Sequence, residues 1–195
     1  MSKSDPASAK KERNKTIRWV VTIFFVTIFV SGSISLVSDH IMSVSGTAVA
    51  FMILLAIVMI GIIFDVIGVA VTSADEKPFH SMAARKVPGA LEAIRLLRNA
   101  ERVSSICCDV IGDICGVVSG SASATIAAQI LNNFDFTWPQ IVSLLMSALV
   151  AGLTVGGKAI GKTFAMNSST VIVHTVGRIA YNLGHTGKLF SKKKK

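Results

Sequence analysis

Residues 41–65 read IMSVSGTAVAFMILLAIVMIGIIFD, an uncharged run that ends at an aspartate. An α-helix needs about 20 mostly apolar residues to cross a bilayer, and this run is long enough to do so. Three more uncharged runs of similar length occur in the chain, at 19–38, 114–134 and 136–157. The sequence therefore predicts an all-α polytopic membrane protein with four transmembrane helices.

The composition agrees with a membrane protein. Hydrophobic residues make up 51% of the chain and charged residues 16%, which would leave a soluble domain of this size with uncovered apolar surface. The first apolar run is longer than the hydrophobic part of a signal peptide, and no A-x-A-like cleavage site closes it. We therefore expect this run to be a spanning helix.

The basic residues are segregated along the chain. All 20 Lys and Arg lie within 1–18, 77–102 and 158–195. No nucleic-acid recognition motif accompanies them, so we expect no nucleic-acid partner. The positive-inside rule places both termini and the central segment in the cytoplasm, and the short connections at 39–46 and 132–140 outside. The expected location is the cell membrane.

The segment 75–102 is too polar to cross a membrane, and apolar residues recur at helical spacing within it, around the Pro88–Gly89 break. This pattern predicts two short amphipathic juxtamembrane helices at the membrane surface, with a solvated connector as the alternative. A similar pattern after the fourth run predicts another surface helix before the C-terminal lysines. Its apolar positions are Ile172, Val176, Ile179 and Leu183.

Three aspartates lie inside the stretches that are expected to span the bilayer, namely Asp65, Asp109 and Asp113. A charged side chain at the centre of a spanning helix costs about 2.5 to 3.5 kcal/mol. Charges in such positions usually serve an ion path, a proton relay or a buried partner charge. We therefore treat these aspartates as candidate site residues.

Counting along the helices places the charges at similar depth. We expect the second helix to end near Ser73, the third to begin near Val103 and the fourth to end near Ala165. At about 1.5 Å per residue, the three aspartates and Lys158 then lie in the inner half of the bilayer. Such a cluster suits a hard divalent cation. Two alternatives stay open: Lys158 pairs permanently with an aspartate, or it extends to the cytoplasmic interface.

Small residues recur every four positions on the third helix, which places them on one face. Small faces let helix backbones approach closely, so we expect tight packing between the third and fourth helices or across a homodimer. The predicted packing residues are Gly112, Gly116 and Gly120 on the third helix and Gly156 on the fourth.

Other chemistry is less favoured by the sequence. Ser119 could supply a neutral oxygen to an ion, although serines in membrane helices most often close helix contacts. The three cysteines lack a CxxC motif, and no Ser-His-Asp or Cys-His constellation is indicated. We therefore do not expect an enzyme.

Four motifs in order resemble the transmembrane domain of the CNNM (cyclin M) and CorB/CorC magnesium transporters. Residues 64–73, FDVIGVAVTS, resemble its F-S-x-x-E-x-A-L-T-S entry, and residues 83–102 resemble its juxtamembrane helices. Residues 108–113, CDVIGD, fall on its G-N-x-x-x-N motif. Residues 156–165, GGKAIGKTFA, fall on its G-E-x-x-P-K-T-x-A motif.

The resemblance implies a dimeric domain with three spanning helices and a cytoplasmic belt, which binds or moves Mg²⁺ and could use Na⁺ as a coupling ion. At the matched positions, Asp65 replaces the family's serine, and Asp109 and Asp113 replace its two asparagines. Gly68 replaces an acidic residue and Lys158 replaces a glutamate. Nearly every polar site position has therefore changed its charge.

The resemblance also suggests how the chain is organised. A basic cytoplasmic N-terminus at 1–17 precedes an additional transmembrane helix at 18–40. The CNNM/CorC-like domain covers 47–165 and includes the juxtamembrane helices at 76–102. An amphipathic helix and basic tail occupy 166–195, and we expect none of the family's cytoplasmic CBS modules.

These observations predict a cation transporter or cation-binding membrane protein, for Mg²⁺ or another divalent cation. The alternative is a non-transporting structural or regulatory subunit, which would partner another membrane protein. In that alternative a Lys–Asp salt bridge replaces the ion.

Overall fold

The computed structural model describes residues 6–133 and 138–192, and all regular structure within these residues is helical. The predicted basic N-terminus, the third and fourth apolar runs and the lysine tail each extend into residues outside this part. The elements are α1 (Pro6–Val44), α2 (Thr47–Ser73), α3 (Lys77–Ala84), α4 (Ala90–Arg98), α5 (Ala100–Ser104), a π-helical segment (Ser105–Ile111), α6 (Gly112–Asn133), α7 (Pro139–Asn167) and α8 (Ser169–Lys192).

Within the described residues, four stretches of helix are long and apolar enough to cross a membrane, which confirms the predicted polytopic fold. They are Ile17–Met42, Thr47–Ser73, Ala100–Asn133 and Pro139–Asn167. The expected ends of the second, third and fourth helices were correct to within three residues. Large apolar side chains point outward from these helices, as Phe29 does with 77% exposure, and lipid can cover them.

The predicted extent of the loop at 39–46 was wrong. α1 continues to Val44, so only Ser45 and Gly46 separate it from α2, and Ile41 belongs to the first helix. No Gly or Pro lies between Asp39 and Ser45 to end the helix earlier. In addition, Gln129 of α6 donates from Nε2 to the carbonyl of Met42 at 2.6 Å and more weakly to that of Ser45 at 3.4 Å. The Met42 carbonyl also accepts from the Ser45 N–H at 3.3 Å, so Gln129 adds a second bond at the end of α1, where helix carbonyls lack intrahelical partners.

α2 packs against both α6 and α7, and α1 packs mainly on α6. One apolar cluster lies where α2 begins, at the end of the bundle that we call the loop end. It contains Met42, Ala50, Leu54, Val58, Ala122, Ile126 and Val150. A second cluster lies where α2 ends, at the basic end. It contains Ala70, Val71, Phe79, Ala93, Ile94, Ala165 and Val173.

The basic end is covered by α3, α4 and α8, which confirms the predicted juxtamembrane helices. Gly89, with a φ of 86°, begins α4 and touches the backbone of Arg178 in α8. Among residues 169–183 of α8, the buried positions are Val173 and Gly177. Two residues of the predicted apolar face, Ile179 and Leu183, are exposed by 54% and 68%, and lipid can cover them.

The third spanning helix contains a seven-residue π-helical segment, Ser105–Ile111, between α5 and α6. In a π-helix the backbone bonds join residues five apart, so the angular step per residue is smaller than in an α-helix. Side chains before and after the segment therefore point in directions that a count of four residues per turn does not predict. Such segments are frequent at functional sites.

Candidate cation site

Asp65 is the buried charge in the bundle. It lies on α2 about two turns before the basic end, and only 3% of its surface is exposed. Its Oδ2 atom has no hydrogen-bond partner within the described part of the chain. A buried polar atom without a partner carries a desolvation cost of about 1 to 3 kcal/mol, and more when the group is charged. An oxygen in this condition favours the binding of a cation or a donor.

Lys162 of α7 is the cation that approaches Asp65. Its Nζ lies 4.0 Å from Asp65 Oδ2, and its side chain is 53% exposed. This separation is longer than a hydrogen bond, so the contact is electrostatic. Side chains on a helix lean toward its N-terminus, and on α7 that direction leads back from the basic end toward the depth of Asp65.

Lys158 lies one turn away on the same face of α7 and contacts a different helix. Its Nζ is 3.5 Å from the carbonyl oxygen of Gly112, a long hydrogen bond. A side chain at Gly112 would place its Cβ only 3.4 Å from this ammonium. Among the described residues no ion pair joins Lys158 to an aspartate. The Lys158–aspartate pair that the sequence left open as an alternative is thus not formed among the described residues, and Lys162 approaches Asp65 instead.

Asp109 and Asp113 do not join Asp65. Both are exposed, and Asp109 accepts a hydrogen bond at 2.7 Å from the hydroxyl of Ser105, four residues earlier. Asp109 lies in the π-helical segment and Asp113 at the start of α6, and both carboxylates are on the exposed side of this spanning helix, away from the buried Asp65. Within the part of the chain that the structure describes, no three Asp, Glu, Cys or His residues are close enough to hold a metal ion.

Cys108 fills the space beside Asp65. Its Sγ donates a weak hydrogen bond to the Asp65 backbone carbonyl at 3.6 Å. A side chain at Gly68, one turn along α2, would collide with this Sγ. The acidic residue that the resemblance would place at 68 therefore has no room here, because the thiol occupies its space.

Ser119 lies apart from Asp65, in a groove of about 230 Å³ between α6 and α7. Ser123, Ser147 and Thr154 also line this groove. The Ser119 hydroxyl donates to the carbonyl of Gly116 at 2.9 Å, and the Ser123 hydroxyl to that of Gly120 at 2.8 Å. A hydroxyl that donates once can still accept, so the groove offers neutral oxygens within an otherwise apolar bundle.

The small residues divide into two groups. Gly157 and Gly161 of α7 touch Ile62 and Val66, so they allow α7 to approach α2. A Cβ added at any of the other group would meet no atom of this chain within 4 Å. That group comprises Gly116, Gly120, Gly152 and Gly156. The close glycine contacts of α7 are therefore with α2, while these four positions have open space around them.

Lys162 was absent from the residues proposed from the sequence. It lies three residues before the expected helix end near Ala165, and the same count of about 1.5 Å per residue puts it close to the membrane surface, where a lysine needs no partner. Two signals could have identified it: its four-residue spacing from Lys158, and the tilt of helical side chains toward the N-terminus. Comparison of the chain with family models, curated proteins and solved structures finds no match.

Proposed function

We propose that this membrane protein binds a cation at Asp65 and moves it across the bilayer, with Mg²⁺ or another divalent cation as the substrate. The observation that carries the proposal is the buried Asp65 Oδ2, which lacks a hydrogen-bond partner within the described chain. Intramembrane carboxylates are costly and usually mark ion or proton paths. Carboxylate oxygens also suit hard cations.

The position of Lys162 supports a model in which its ammonium and the transported ion compete for the carboxylate of Asp65. At 4.0 Å it attracts Asp65 without donating a hydrogen bond to Oδ2. Its half-exposed side chain can swing away toward the basic end. An arriving ion would then replace the ammonium. A divalent ion would need further oxygens, which either Asp109 and Asp113 supply by turning inward or neutral groups and water supply.

The same contact supports a second candidate, a non-transporting structural or regulatory subunit. In this candidate Lys162 is a permanent counter-ion that balances the charge of Asp65, and no ion binds. The two candidates make opposite predictions for the removal of Lys162. Loss of a competitor strengthens ion binding, whereas loss of a permanent partner leaves a buried charge unpaired.

Thermal unfolding of the purified chain in lipid nanodiscs tests the proposal. A ligand that binds only the folded state stabilises it by about 2.7 kcal/mol at a hundredfold excess over its Kd. We expect Mg²⁺ to raise the unfolding midpoint of the parent chain and Asp65→Asn to remove this effect. Lys162→Gln should shift half-saturation to lower Mg²⁺. A parent chain that does not respond to millimolar Mg²⁺, combined with a destabilised Lys162→Gln, would favour the second candidate.

The exposed aspartates provide a further comparison in the same assay. If Asp109 and Asp113 turn inward to complete a divalent site, Asp109→Asn and Asp113→Asn should each weaken the Mg²⁺ effect. If Asp65 binds the ion with neutral oxygens and water alone, both variants should respond as the parent does.

The proposal includes a homodimer in the cell membrane, with both termini in the cytoplasm. The open glycine positions of α6 and α7 support the dimer, since small faces without a neighbour suit close contact with another helix. The segregation of all Lys and Arg supports the orientation.

A further inference from the structure

A second pair of unpaired polar atoms lies at the loop end, far from Asp65. Asp39 Oδ1 of α1 and Gln129 Oε1 of α6 are buried, and neither has a hydrogen-bond partner within the described chain. Both atoms are acceptors only. Two acceptors cannot satisfy each other, so each of these buried oxygens needs a cation or a donor from outside the described residues.

The orientation of the Gln129 amide follows from its contacts. Its Nε2 lies 2.6 Å from the carbonyl oxygen of Met42 and 3.4 Å from that of Ser45. A flipped amide would place Oε1 against these two carbonyl oxygens, where three acceptors would repel one another. The amide nitrogen therefore faces the end of α1, and Oε1 is the atom left without a partner.

α1 and α6 run parallel along a polar seam. Ser35 contacts Ser121 at 3.4 Å, and Gln129 reaches Met42 further along both helices. Asp39 lies four residues after Ser35 and three before Met42, so it is on the same face of α1 and between these contacts. Along the axis of α1, Asp39 lies one turn or less, about 5 Å, from the Met42 carbonyl to which Gln129 donates.

Helix polarity adds to the attraction for a cation at this point. Because α1 and α6 are parallel, both end near the loop end, at Val44 and Asn133. A helix C-terminus carries a partial negative charge of roughly half an electron. Both unpaired oxygens lie in the last two turns of their helices, where this charge has its effect.

We propose that Asp39 and Gln129 form a binding site for a monovalent metal cation, of the class of Na⁺ and K⁺. The donor set contains one carboxylate and one amide oxygen, both of them hard ligands. Its single formal charge balances a monovalent ion, whereas a divalent ion would leave net positive charge in a poorly solvated place. The bound ion joins α1 to α6, and it does not depend on the Asp65 site.

The test uses the full chain in nanodiscs and separates this site from Asp65. Unfolding is followed as NaCl or KCl replaces choline chloride at constant ionic strength, in an Asp65→Asn background. We expect either salt to raise the midpoint there. Adding Asp39→Asn should raise the concentration for half-maximal stabilisation by about tenfold or more. Adding Asp75→Asn, the same chemical change at an exposed residue near the basic end, should leave that concentration unchanged.

Three outcomes would overturn the inference. One is a midpoint that does not change between choline and the metal cations. Another is an unchanged response after Asp39→Asn. The third is stabilisation that follows pH alone, because a proton shared between the two oxygens would then satisfy them. If Asp39→Asn does not fold, ²³Na relaxation in the unmodified chain gives the answer. Bound Na⁺ should broaden the signal and K⁺ should reverse the broadening, and an unbroadened signal would again overturn the site.

Discussion

The ammonium of Lys162 lies 4.0 Å from the carboxylate of Asp65, across the contact between α7 and α2. The carboxylate is buried, while the lysine is half exposed. In the proposed cation site, Lys162 is therefore the partner that would move toward solvent, while Asp65 would stay in place.

Asp65→Asn should leave the fold intact and raise the free energy of unfolding in the absence of divalent cations, by about 1 kcal/mol or more. The neutral amide removes a poorly compensated buried charge, as expected where a residue is kept for function at the expense of stability. Chemical unfolding in nanodiscs or detergent measures the change. A clear loss of stability would show that Asp65 contributes to the fold through its pairing.

Lys162→Met should cost no more than about 1 kcal/mol, because the lysine is half exposed and its contact is long. A fully buried pair would lose about 3 to 5 kcal/mol on the same change. The two ranges are far enough apart for chemical unfolding to separate them. Lys158→Met, which removes only a bond to a backbone carbonyl, is the matched comparison and should have a similarly small effect.

Gly161→Leu should lower the stability of the single chain, whereas Gly116→Leu should weaken its self-association. A side chain at Gly161 collides with Val66, so this variant should lose about 1 to 3 kcal/mol of stability. Gly116 has open space around it, and Leu there should leave the single chain stable but weaken a homodimer. Thermal unfolding and the mass in detergent distinguish these results. A Gly116→Leu chain of unchanged mass would remove that face from the dimer contact.

Gly89→Ala should destabilise the juxtamembrane layer by about 1 kcal/mol or more, since φ is 86° there and the Cβ would meet the Arg178 backbone. Gly46→Ala is the control, because Gly46 has an ordinary φ of −66° and no atom close to the new Cβ. Unfolding midpoints of the two variants should differ clearly. Equal midpoints would mean that α4 and α8 separate at little cost.

Accessibility to a membrane-impermeant thiol reagent tests the orientation. Single cysteines are placed at exposed positions after Cys107, Cys108 and Cys115 are replaced by alanine. A cysteine at Gly46 should react in intact cells, and one at Ala84 only after permeabilisation. Reaction at Ala84 in intact cells would reverse the orientation.

The amino-acid sequence by itself determined the four spanning helices and the short helices of the basic end. These features depend on local properties: runs of apolar residues, the amphipathic pattern and breaks such as Pro88–Gly89. Helix ends were therefore predicted to within a few residues. The exception was α1, where polar residues at 38–43 suggested a loop although nothing in them ends a helix.

Only the tertiary structure decided which charges meet. Depth along a helix can be counted from the sequence, and it placed Asp65, Asp109 and Asp113 together. Rotation about each helix axis and the direction of side chains left Asp109 and Asp113 exposed and brought Lys162 to Asp65 instead. The same is true of Gln129 and Met42, which are 87 residues apart in the chain. Their contact arises from the parallel packing of α1 on α6, which no local pattern in the sequence records.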